Sequence, residues 1–132
     1  MADARSTENI SGSNNIEKGK KGEDIAAVCL RKEGYRIVER NYRCRYGEID
    51  IIAMDAGDIV FVEVKSRKSE SFGSPEEAVS IVKQKKISNV ALNYLQEKGM
   101  IDHSARFDIV AVRLIPEGNR INIIKNAFEL CL

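Results

Sequence analysis

The chain has 132 residues, of which 21 are Lys or Arg and 20 are Asp or Glu, for a formal net charge of +1. A hydrophobic share of 43% with 31% charged residues excludes a low-complexity or disordered chain, and no apolar run approaches the roughly 18 residues of a spanning helix. A chain of this length predicts one domain that buries roughly two-thirds of the surface its unfolded form exposes.

Residues 1–16 are rich in Ser, Asn and small side chains without periodicity and predict a flexible tail ahead of a single domain over 17–132. The opening MADARSTENISGSNN lacks the apolar core of a signal peptide, so a cytoplasmic location is expected. KKGEDIAAVCLRK, residues 20–32, predicts an amphipathic helix with Ile25, Val28 and Cys29 on its apolar side and Gly34 near its end. Strands follow over residues 36–41, 47–54 and 58–65, the last two joined by a Gly-containing turn. After the polar connection SRKSESFGSP comes a helix over 76–97, begun by Pro75 and stopped by Gly99. Two strands, 106–114 and 120–125, flank the turn PEGN. This order predicts an α/β fold, a mixed sheet flanked by helices. The short turn makes the second and third strands antiparallel, whereas the long helix allows a crossover to the fourth.

The hairpin GEIDIIAMDAGDIVFVEVK carries charged side chains inside two apolar runs. Alternation puts Glu48, Asp50 and Ile52 on one face of its first strand and Ile49, Ile51 and Ala53 on the other. In the second strand Phe61, Glu63 and Lys65 share a face opposite Val60, Val62 and Val64. A turn centred between Ala56 and Gly57 sets Asp50 opposite Glu63 and Glu48 opposite Lys65. The two acids then stand roughly 5 Å apart, where like charges destabilise a strand pair. A cation between them reverses that effect, and carboxylate oxygens suit Mg²⁺, which keeps waters and substrate phosphate oxygens in its shell. Lys65 lies near enough to orient a water or to stabilise charge on an attacked phosphate. Metal and lysine together fit phosphodiester hydrolysis; glycoside hydrolysis needs its two acids on either side of the scissile bond. The plainer alternative is a solvent-facing hairpin with Glu48 and Lys65 as an ion pair.

Arg31, Lys32, Arg36, Arg40, Arg43 and Arg45 stand against only Glu33 and Glu39 in residues 31–45, and Lys83, Lys85 and Lys86 form a second basic group. Arg40, Arg43 and Arg45 precede the acidic strand and Arg67 leaves the next one. With Lys83 and Lys86 they are the candidates for holding a nucleic-acid backbone. Tyr42 and Tyr46 either stack on a base or pack in the core, and no base-reading code is visible. Cys29, Cys44 and Cys131 lack the spacing of a metal knuckle, His103 falls in a connection, and Arg106 and Asp108 share a strand face, where spacing alone does not separate a catalytic role from an ion pair that shapes the strand.

The segments GKKGEDIAA, RNYRCRYGEIDIIA, VFVEVKSR, SFGSP followed by KQKK, and RFDIVAV occur in that order over about residues 19–112. In these segments the chain resembles the YraN-like bacterial family, whose members look like restriction endonucleases and archaeal Holliday-junction resolvases in fold. The resemblance implies a restriction endonuclease-like sheet and a PD-(D/E)xK-type centre. Glu23 would be its helix acid, Asp50 its strand acid, and Glu63 with Lys65 its ExK element. The backbone carbonyl of Val64 would be a further metal ligand and Gln84 a polar support. Ile49 stands where that motif has proline, a departure the chemistry above tolerates. The implied activity is cutting of DNA, branched DNA first, with Mg²⁺ or Mn²⁺ as cofactor and RNA as the alternative polymer. A homodimer is also implied, since relatives of the fold often work as dimers. Two other classes stay open: a nucleic-acid-binding protein without hydrolysis, and a noncatalytic subunit of a DNA-processing complex whose AFELCL tail covers a partner.

Overall fold

In the computed structural model, which describes residues 11–67 and 79–132, helix α1 (Ser11–Lys32) leads into strands β1 (Arg36–Cys44), β2 (Gly47–Asp55) and β3 (Asp58–Arg67). Helix α2 (Ile81–Glu97) then precedes β4 (Ala105–Arg113) and β5 (Arg120–Phe128). The strands lie in chain order in one five-stranded sheet. Every neighbouring pair is antiparallel except β3 with β4, which is parallel. A parallel pair needs a long crossover, and α2 supplies it. The mixed α/β class expected from the sequence is the class observed.

Ala56 and Gly57 both take left-handed backbone angles, φ 54° and 87°, as a two-residue hairpin turn requires. The resulting register pairs Asp55 with Asp58 and continues to Ile51 with Val62, in the expected phase. Element ends differ more. α1 starts at Ser11, not near Lys20, and so takes in residues 11–16 of the expected tail. Once nucleated, a helix extends through polar residues at little cost per residue, and no proline interrupts this one. Residues 1–10 of that tail lie outside the described residues. α2 starts at Ile81, not near residue 76, because Ser80 is extended and its Oγ accepts a hydrogen bond from the Lys83 amide at 3.1 Å, a side-chain N-cap. Pro75 and SFGSP lie outside the described residues. β1, β3 and β5 continue to Cys44, Arg67 and Phe128, since ladder pairing carries a strand past the point where apolar alternation stops.

The sheet buries apolar side chains on both faces. On the α2 side Tyr42, Ile49, Ile52, Ile59, Phe61 and Phe107 meet Ile87, Val90, Ala91, Tyr94 and Leu95. On the α1 side Ile51, Ala53, Val60, Val62, Val110 and Val112 meet Ala26, Ala27 and Leu30. Burial of each Val, Ile or Phe contributes about 1.5–3 kcal/mol. Gly22 lets α1 approach β3: a Cβ there would lie 1.8 Å from Ser66 Oγ. Glu23 is therefore held close to the sheet. No described helix is long and apolar enough to cross a membrane.

At the turn end of the hairpin, Arg106 donates to Asp55 at 2.6 Å, to Asp58 at 3.2 Å and to Asp108 at 3.0 Å. Asp108 is fully buried and also accepts from the Tyr35 hydroxyl at 2.7 Å and the Asn126 amide at 2.9 Å. That amide is available because Asn126 has φ 53° and the β4–β5 register shifts between Phe107 and Ile109. Of the two roles open to Arg106 and Asp108, the ion pair that shapes the strand is the one observed. Arg106→Leu strips a buried carboxylate of its counter-charge and is expected to cost about 3–5 kcal/mol of stability. Urea denaturation measures it, and a loss below about 1 kcal/mol would show that the network does not hold this end of the sheet.

Candidate functional site

The other end of the hairpin is built by a change of face. Arg40 pairs with Ile51 and Tyr42 pairs with Ile49. Arg40 and Ile51 face α1, where Arg40 binds Asp24 at 2.8 Å; Tyr42 and Ile49 face α2. Residues two apart in a regular strand share a face, so both strands rotate between these pairs. Asn41 carries the rotation on β1 with φ 54°, a conformation Asn tolerates better than most residues. The expected grouping of Ile49 with Ile51 is therefore corrected. Asp50, which sits at the rotation in β2, turns its carboxylate along the ladder, and Oδ2 accepts the Val64 amide at 2.8 Å.

This end gathers Glu23 from α1, Glu48 and Asp50 from β2 and Glu63 from β3. Desolvation, then the charge of Glu63, with smaller contributions from Glu23 and Glu48, pushes Asp50 up to about 7 against the pull of the Val64 amide. Burial also raises Glu63, and the charges of Lys83 and Lys65 offset part of that rise. Protein donors hold the acids. The Asn41 amide spans Glu23 Oε1 at 3.0 Å and Glu48 Oε2 at 3.2 Å, and Lys83 Nζ lies 3.5 Å from Glu63 Oε2. Among the described residues, no group of three or more His, Cys, Asp or Glu side chains stands ready to hold a metal ion.

Asp50, Glu63, Glu23 and Lys65 are thus brought to one region. Glu48 differs from expectation: its ion-pair partner is Arg43, at 3.5 Å, because β2 and β1 stay paired through Glu48 and Arg43. The candidate basic residues divide. Arg40 is engaged by Asp24 and lies 4.0 Å from Glu23, whereas Arg45, Arg67 and Lys86 are exposed, as is Arg43 despite its pairing with Glu48. Tyr42 belongs to the core, bonded to Glu97 and Asn93, which removes it as a stacking platform; Tyr46 is exposed beneath the Arg45 guanidinium. The Gln84 side chain donates to the Val79 carbonyl at 3.3 Å and so supports the start of α2. His103 is an exposed residue bonded to its neighbour Ser104.

Asn41 was not among the candidate site residues, although Asn between two arginine-rich segments of a strand is the residue type that signals a left-handed break. The Lys83–Glu63 contact joins residues 20 positions apart through the crossover, and no local spacing encodes it.

Fold and site define an α/β protein with an under-neutralised acidic cluster at one end of a mixed sheet. The chain belongs to the Uncharacterised protein family UPF0102, whose model matches residues 22–112. A UPF0102 protein of Syntrophus aciditrophicus is 59% identical over 116 residues, covering 88% of this chain and 91% of its own. One from Geobacter sulfurreducens is 50% identical over 113 residues, covering 85% and 88%. Among solved structures, SfsA of Pyrococcus furiosus, in complex with Ca²⁺, matches with a TM-score of 0.38 and 16% identity over 84% of this chain and 62% of its own. That likeness is too slight to bear on function.

The raised Asp50 pKa has a consequence for stability. Between the ordinary 3.8 and about 7 the folded protein binds a proton that the unfolded chain has released. Stability therefore falls as pH rises through that window and levels off above it. Asp50→Asn removes the charge and keeps an oxygen for the Val64 amide. The variant is expected to gain on the order of a few kcal/mol near pH 8 and to lose most of this pH dependence. Urea denaturation at several pH values checks this, and parallel profiles for the two proteins would contradict it.

Proposed function

We propose that the protein is a metal-dependent endonuclease that hydrolyses DNA phosphodiester bonds, with branched DNA as the first substrate class to test. The observation that carries the proposal is the crowding of Asp50 with Glu23, Glu48 and Glu63 in a partly desolvated site, beside Lys65. Lys83 and Lys65 offset only part of the rise in the Glu63 pKa, and that of Asp50 stays raised. The cluster's oxygen-only donor set fits Mg²⁺ or Mn²⁺ and not a softer metal. Asp50, Glu63 and Glu23 would hold the ion, with the Val64 carbonyl as a further donor. The chemistry a divalent cation supplies there is Lewis-acid stabilisation of phosphate charge and a more acidic water.

The protein's own groups do the rest. Lys65 stands on the Glu63 face of β3, where its ammonium would stabilise negative charge on the attacked phosphate or orient a water. Arg43, Arg45, Arg67 and Lys86 are exposed and would hold the polyanion by salt-sensitive contacts that carry no sequence information. A second reading, a nucleic-acid-binding protein without hydrolysis, is favoured by the engagement of each acid with a protein donor.

The test is a panel of single-stranded, duplex, flapped and four-way DNA, with RNA, in Mg²⁺ or Mn²⁺ at low and moderate salt. Cleavage is expected, with losses on the order of 10²-fold or more in Asp50→Asn, Glu63→Gln and Lys65→Ala. Binding without cutting across the panel would favour the second reading, and cutting unchanged in all three variants would assign the activity elsewhere.

A further inference from the structure

The contact between Lys83 and Glu63 is not the expected place of a lysine that grips a nucleic-acid backbone. Its Nζ lies 3.5 Å from Glu63 Oε2, and the two side chains are 46% and 9% exposed. The Lys83 backbone is fixed, since its amide donates to the Ser80 N-cap; only the flexible four-carbon stem reaches the acid. Glu63 is buried on a strand; its neighbour Asp50 is held by the Val64 amide, and Glu23 by the Asn41 side chain with the Arg40 guanidinium 4.0 Å away. Lys83 brings a full positive charge to Glu63 itself, the most buried acid of the cluster.

We infer that Lys83 is a built-in counter-ion, which holds the Glu63 position of the cation site and is exchanged for the divalent ion when that ion binds. The inference rests on the metal-site reading proposed above. A divalent ion offers the cluster twice the charge of an ammonium at comparable range. The displaced ammonium is already half in water and rehydrates without rebuilding the helix. The released lysine then stands at the mouth of the site, positioned for the phosphate that accompanies the ion. Lys83 is a positioning residue in this account: it sets when the site accepts its metal.

The test is Mn²⁺ affinity, read from the electron paramagnetic resonance signal of the free ion, with circular dichroism to check folding. Lys83→Met is compared with the intact protein, with Glu63→Gln, and with Lys85→Met, which removes the same charge from an exposed position on the same helix. Lys83→Met is expected to bind Mn²⁺ at least about threefold more tightly than the intact protein, Lys85→Met to differ little, and Glu63→Gln to bind more weakly. Equal effects of Lys83→Met and Lys85→Met would overturn the exchange and leave only a general field effect. Equal binding by Glu63→Gln and the intact protein would overturn the metal site itself, and the exchange with it.

Discussion

The Asp50 carboxylate, held by the Val64 amide and crowded by Glu63, Glu23 and Glu48, is the constraint around which this end of the molecule is arranged. It sits where β1 and β2 rotate together. Asn41, in the left-handed conformation that permits the rotation, also donates to Glu23 and Glu48. α1 is close enough to contribute Glu23 because Gly22 leaves room beside Ser66. Each local irregularity thus serves to collect negative charge at one place or to hold it there with hydrogen bonds.

The two ends of the hairpin handle charge in opposite ways. At the turn end, Asp55, Asp58 and Asp108 meet Arg106, with Lys125 also 3.4 Å from Asp55, and the pKa values of Asp55 and Asp58 are lowered. Hydrogen bonds from Arg106 and Ser104 are the main causes. At the far end the acids are partly desolvated and under-neutralised, and the pKa values of Asp50 and Glu63 are raised. A counter-charge compensates a buried acid for the water it has lost; a buried acid left short of positive charge costs stability. One sheet therefore carries an end whose acids are matched by counter-charge and an end whose acids are not.

Much of this was legible in the residues. The Ile- and Val-rich runs around Ala56 and Gly57 determine the hairpin and its register, and the long second helix determines the parallel crossover. The hairpin register also brought Asp50 and Glu63 into one region. Three features resisted. The face change at Asn41 breaks period-two alternation, so alternation alone groups Ile49 with Ile51 although they face opposite layers. The start of α2 depends on Ser80 as a cap, which composition alone does not separate from its neighbours. The destinations of Arg40, Glu48 and Lys83 are set by partners on other elements, Asp24, Arg43 and Glu63, and side-chain pairing across a fold leaves no trace in local spacing.

A cation site at this acidic cluster, as proposed, would be directly observable at Asp50. Its carboxyl carbon, followed by carbon-detected NMR across pH, is expected to titrate near 7 in metal-free protein. Saturating Mg²⁺ should shift that titration well into the ordinary carboxylate range, because a bound cation favours the ionised form. A titration at the ordinary carboxylate value without metal, or one that Mg²⁺ leaves unmoved, would contradict the account.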